Sequence, residues 1–254
     1  MFALKARHGA GLAELLVSVT LAGVVMAAAS RGLSQHLRWQ RGRAATAAAQ
    51  QIVQDALDVL RAELQRSSGE PRALGDTAVD VPSVRLLLRA CDASTGRLVV
   101  PNGSASWAAP RSGDSLAVLD TLARVEWRTL IATVSSQRAS SACPAGGTRL
   151  SLTSPVPPTA PALALPVRIW RVMRYTTYRA PDGLWWLGER ACAPACGLVQ
   201  PVAGPLLPPS QGGFRVAIVL DDTGRLRAID LMVRAEVAGR RASLSARIPT
   251  AGSP

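Results

Sequence analysis

Histidine is almost missing: the chain has two, His8 and His36, both near the N-terminus. Acid/base relays, nucleophile triads and many metal centres use that residue, so the body of the protein lacks their usual means. The many serines then have no base to activate them. Lysine is scarcer still, Lys5 being the only one, and arginine therefore carries the formal net charge of +12. Abundant alanine beside arginine in place of lysine is the mark of GC-rich coding, which makes much of that basicity compositional. Glycine-rich phosphate loops are missing too: Gly9-x-Gly11 opens an apolar helix with no strand before it and cannot serve as a dinucleotide fingerprint. These absences point away from an enzyme, and no cofactor or metal is expected.

With 48% hydrophobic and 18% charged residues among 254, the chain is too apolar for disorder and can bury a core. Its length suits one domain of about 150 to 200 residues plus something further. Four cysteines, Cys91, Cys143, Cys192 and Cys196, fit two disulfides or buried thiols. An all-cysteine zinc site would show two short paired spacings, and only Cys192-x3-Cys196 is short. Four cysteines allow three pairings. Cys192 with Cys196 and Cys91 with Cys143 is favoured, because turn-forming Ala193-Pro194-Ala195 joins the close pair.

Residues 12–29, LAELLVSVTLAGVVMAAA, form an apolar stretch broken by one charge, Glu14. A helix of that length covers about 27 Å, enough for the hydrocarbon core of a bilayer. A secretory signal peptide would explain the basic leader with Lys5 and Arg7 and the A-x-A site at Ala27-Ala28-Ala29, giving a mature start at Ser30. A plain signal anchor explains the span. Neither accounts for a carboxylate inside it, where a charge is costly and marks function.

Gly9 followed by Ala10-Gly11-Leu12-Ala13-Glu14-Leu15-Leu16-Val17 resembles the type IV prepilin cleavage and methylation motif, in which a short basic leader ends in Gly and a Glu stands fifth in the mature chain. Ala10 replaces the usual Phe and Gly11 the usual Thr. The resemblance implies cleavage between Gly9 and Ala10 by a prepilin peptidase, N-methylation of Ala10, retention of the apolar helix, and an assembly or register role for Glu14. Arg31, Arg38, Arg41 and Arg43 beyond the span outnumber Lys5 and Arg7 before it, which by charge count alone favours the opposite orientation. The motif sets the orientation adopted here, and the four arginines are expected to snorkel to headgroups on the outer face.

Helical spacing continues through Leu33, Leu37, Ala44, Ala48, Ile52, Val53, Ala56, Leu57, Leu60 and Leu64, and Ser67-Ser68-Gly69 then Pro71 supply a stop. The whole predicts a helix of about 58 residues and about 87 Å; a helical hairpin, or two shorter helices broken near Gly32 or Gly42, is the alternative. After Pro71 the period becomes two. Strands are expected at 84–90 and 98–100 around an Asp92-Ala93-Ser94-Thr95-Gly96 turn, then at 116–119, 125–134 and 150–153. A hairpin of 167–178 and 184–190 turns at Ala180-Pro181-Asp182-Gly183. A meander of 214–220, 226–237 and 242–248 turns at Asp221-Asp222-Thr223-Gly224 and Ala238-Gly239-Arg240. Two proline-rich connections, one with Pro155, Pro157, Pro158, Pro161 and Pro166, the other with Pro201, Pro205, Pro208 and Pro209, are expected as loops of one body, outside any central strand.

The fold class is therefore α+β, of type IV pilin-like form: a long N-terminal transmembrane helix packed on a mainly antiparallel β-sheet body. Its parts are a leader at 1–9, a membrane segment at 10–30, an amphipathic stem at 31–68 and a periplasmic body at 69–254. The order of stem, 175–185 hairpin, proline-rich stretch and meander looks like the PulJ/GspJ and PilW group of minor pseudopilins and minor pilins. That resemblance implies a single-pass protein of the bacterial inner membrane that helps prime or cap a type II secretion pseudopilus or a type IV pilus. Its partners would be the prepilin peptidase, other pilin-like subunits and an inner-membrane assembly platform. The competing class is a membrane-anchored or periplasmic binding module, including a DNA-uptake pilin reading nucleic acid through Arg168, Arg171, Arg174, Arg225, Arg227, Arg234, Arg240 and Arg241. A solvated sheet face is the preferred reading of those arginines. Asp221-Asp222 is read as a hydrated turn before a calcium site. Trp185 and Trp186 point to opposite faces of a strand, so either both are core or one meets a partner.

Overall fold

The computed structural model describes residues 10–67, 69–94, 96–101, 110–111, 113–120, 126–141, 143, 146–152, 165–192 and 195–249. Leader residues 1–9, Gly9 included, and the proline-rich run at 153–164 lie outside the described residues.

Helix α1 runs unbroken over Ala10–Gln65, 56 residues and about 84 Å. Strong helix formers flank Gly32 and Gly42, so a glycine costing about 1 kcal/mol does not interrupt it. At Gly42 the missing side chain gives room to Arg240: a Cβ there would lie 3.3 Å from its Nη2, so a larger residue would make the guanidinium shift by a few tenths of an ångström. The last turn tightens, with Ser67 N–H donating to Leu64 O, and the chain leaves the helix.

The stem buries Ala45, Ala49, Val53, Ala56, Leu57, Leu60 and Leu64, a stripe at three- and four-residue steps. This corrects the expected stripe at its upper end. Ala44 and Ala48 are exposed because the sheet meets the helix one residue further round, where Ala45 and Ala49 are small enough for close approach, and Leu33 and Leu37 are exposed because they lie on the length that the sheet does not reach. Burying Val53, Leu57, Leu60 and Leu64 is worth roughly 6–12 kcal/mol gross, at about 1.5–3 each.

Thirteen strands form one antiparallel sheet. In chain order they are β1 Arg72–Ala73, β2 Ala78–Ala90, β3 Asp92–Ser94, β4 Arg97–Pro101, β5 Ser115–Asp120, β6 Glu126–Ser140, β7 Gly147–Leu152, β8 Leu165–Arg179, β9 Trp185–Ala191, β10 Gln200–Leu206, β11 Phe214–Leu220, β12 Leu226–Val237 and β13 Arg240–Pro249. The order is β11-β12-β10-β9-β8-β5-β6-β7-β4-β3, with β13 on β12 and β2 on β8. The helix lies against β13, β12, β10 and β2. Alternation in β12 sends Ile229, Leu231, Val233 and Ala235 into that contact, where they join Tyr175, Leu187, Phe214 and Ile248 around the helical stripe. A second core, Leu98, Val100, Leu116, Val118, Val134, Leu150, Val167 and Ile169, lies on the far part of the sheet and includes no residue of the helix.

Three local expectations change. Pro166, expected in a loop, lies near the start of β8, opposite Arg89 of β2. The turn after β2 is tighter than the Asp92–Gly96 reading: Asp92–Ser94 is itself a strand on β4, with Ser94 opposite Arg97, and β2 pairs with β8 instead. Pro201 and Pro205 stand inside β10, between β9 and β12, not in a loop. The strand tolerates them because its pairing is sparse. Only four residues register on β9, with shifts on both sides of Ala203, and one on β12.

Candidate assembly site on the N-terminal helix

Every side chain over residues 13–41 is exposed, so about 48 Å of helix, counted from Ala10, stands clear of the body. Within it, 18 consecutive residues average a hydropathy of 1.8, which makes α1 long and apolar enough to cross a membrane. Its hydroxyls are turned back on the backbone: Ser18 donates to Leu15 O at 3.0 Å, Thr20 to Leu16 O at 2.9 Å and Ser30 to Met26 O at 2.8 Å. Such bonds let a helix carry Ser and Thr through hydrocarbon. Glu14 is different. It is exposed, and no hydrogen bond or ion pair reaches it from the described residues. A charged carboxylate within an apolar span is costly unless it is paired, protonated or held at the water interface.

Ala10 is the first helical residue, one turn before Glu14; Gly9, the other half of the expected cleavage site, lies outside the described residues. Cys91 is bonded to Cys143 and Cys192 to Cys196, one of the three pairings open to the sequence, and no cysteine is free. The first bridge closes a sequence separation of 52 residues, worth about 4 kcal/mol through the unfolded chain. Two disulfides fit an oxidising compartment.

The other sequence candidates turn inward. Asp221 Oδ1 accepts from Thr223 N–H, Thr223 Oγ1 and Arg225 N–H, at 2.8, 2.6 and 2.9 Å. These bonds, the hydroxyl's foremost, hold its carboxyl below the usual range, and no metal-binding group of His, Cys, Asp or Glu is found among the described residues. Of the sheet arginines, Arg171 pairs with Asp114, Arg174 with Asp80 and Arg241 with Glu236. Trp185 and Trp186 are both half-buried, so neither is the exposed member of a core-and-interface pair. Trp186 lies on Gly204, where a Cβ would come within 2.6 Å of the ring.

Two polar clusters had no signal in the sequence. Asp114, fully buried, receives Arg171 at 2.6 Å, Arg85 at 3.6 Å and the Arg111 N–H at 2.7 Å. Ser83 of β2 donates to Glu63 of the stem at 2.6 Å, fastening helix to sheet beside buried Tyr175. Burial, helped by Glu63 and Glu189, raises the Tyr175 phenol far above its ordinary value, so it stays neutral. Partners up to 57 residues apart leave no periodic trace.

No family model, curated protein or solved structure matches the chain.

Proposed function

We propose that the chain is a minor pilin-like or pseudopilin-like structural subunit, held in a bacterial inner membrane by α1 with its body in the periplasm, that joins other such subunits to prime or cap a filament. The observation that carries this reading is the stem itself: a helix bare on all sides for about 48 Å, gripped by a sheet only from Gly42 on, with one carboxylate near its start that meets no partner among the described residues. A lone body gains nothing from such a stem. Stems packed side by side would cover its apolar surface and bring the Ala10 amine of one chain to Glu14 of the next. Prepilin peptidase and an inner-membrane assembly platform are the further partners this reading requires. A nucleic-acid-binding face draws less support, since Arg171, Arg174 and Arg241 are held in ion pairs.

Intact-mass measurement of protein extracted from its native membrane tests the reading. The expected chain begins at Ala10 with one methyl group on its amine. A chain beginning at Ser30 would overturn it in favour of a secretory signal peptide.

A further inference from the structure

Beyond the apolar run, α1 carries Arg31, Arg38, Arg41 and Arg43, and the sequence has no acidic residue between Glu14 and Asp55. Among the described residues none of the four has an ion-pair partner. Arg43 instead sits over the Trp39 ring, 4.7 Å from its centroid. Arg31 and Arg38 are seven residues, or two turns, apart and share a face. Seven further on, the same face holds buried Ala45, then Ala49 and Ala56. Both guanidinia therefore lie on the body's side of the helix, in the gap between the body and the end of the span.

Height separates the four arginines. Taking Ala29 as the end of the hydrocarbon segment, the Cα atoms of Arg31, Arg38, Arg41 and Arg43 stand about 3, 13, 18 and 21 Å above it. Side chains on a helix lean toward its N-terminus, here toward the bilayer. An arginine reaching about 7 Å downward brings Arg31 and Arg38 into a headgroup layer about 5–7 Å thick. Arg41 and Arg43 fall short of it, and the contact with Trp39 already occupies Arg43.

We infer that Arg31 and Arg38 hold the phosphates of anionic phospholipids in the leaflet on the body's side, and so set the height at which the body stands above the membrane. The inference rests on the membrane-spanning reading of α1. Two guanidinia at an anionic surface give a preference on the order of thirty-fold over a zwitterionic one. Charge complementarity, and the position two residues past the apolar run, favour lipid as the occupant over an acidic stem of a neighbouring chain.

The test uses the full chain in detergent micelles mixed with phosphatidylglycerol or phosphatidylcholine, with retained lipids counted by native mass spectrometry. Wild type is expected to retain phosphatidylglycerol on the order of thirty-fold more than phosphatidylcholine. Arg31→Gln with Arg38→Gln abolishes the preference, and Arg41→Gln with Arg43→Gln leaves most of it. Equal retention of the two lipids, or loss that follows Arg41 and Arg43, overturns the inference. So does an Arg31/Arg38 variant that keeps its lipid but loses a co-purifying chain, which would assign the arginines to an acidic neighbour. Extraction of membranes at high pH separates the two levels. Release of the wild type refutes the spanning reading and this inference with it, whereas a retained protein with no lipid preference refutes the inference alone.

Discussion

Asp114 is the most demanding single residue in the body. It is fully enclosed and faces two guanidinia, of which Arg171 is 9% exposed. Burial pushes the Arg85 guanidinium below its ordinary value, against the pull of Asp114 in the opposite direction. Asp114→Ala would leave a buried cation without its carboxylate, a loss of about 3–5 kcal/mol, and Asp114→Asn, which keeps acceptors in place, less. Denaturant unfolding of the full chain measures both. On the solvent side, Asp230 and Asp221 have carboxyls held below the usual range, Asp230 first by its hydrogen bond from Arg247 and Asp221 first by that from Thr223. A depressed folded value means that their support is present above the unfolded value of about 3.9 and is lost as pH falls through the folded one. Acid titration followed by circular dichroism should therefore show Asp230→Asn to be less stable than wild type at neutral pH and to converge on it in acid, as the pH falls through the depressed folded value.

At the scale of elements, α1 divides at Gly42 into a free length and a clamped one, and substitutions should divide with it. Leu60, fully buried against the sheet, is expected to cost about 2–5 kcal/mol of body stability as Leu60→Ala. Leu37→Ala, 42% exposed on the free length, should stay within about 0.5 kcal/mol. Thermal unfolding of the two variants in one detergent checks the contrast. The helix, the 179/185 hairpin and the β11–β12–β13 meander were legible because apolar periodicity and turn residues such as Pro181-Asp182-Gly183 and Asp221-Asp222-Thr223-Gly224 act locally. The buried face at Ala45 and Ala49 was not: in an alanine-rich stem Ala44 and Ala48 look the same, and only the position of the sheet distinguishes them. Pro201 and Pro205 misled for a related reason. Proline forbids regular pairing, and β10 is a strand whose pairing is irregular.

Across the whole molecule the body and the start of the stem are mechanically separate, which makes Glu14 a clean test of assembly. About 46 Å of helix lie between Glu14 and Ala45, the first buried residue. Sites so far apart with no shared contacts contribute independently to stability. Glu14→Ala should then leave the melting of the body unchanged and make the span easier to insert, since it removes a charge from an apolar run. Within the chain, the helical neighbours of Glu14 at one turn are Ala10, Gly11, Val17 and Ser18. None is a cation except through the new amine of a mature Ala10. On the proposed reading, a carboxylate that costs energy at insertion and meets no partner among the described residues would find one outside its own chain, in packed stems the amine of the next subunit. The variant is thus expected to recover several-fold less of its partner subunits on co-purification from membranes at matched expression, with membrane content undiminished. If partner recovery and filament formation equal the wild type, Glu14 carries no assembly signal and the subunit reading loses its main residue-level support.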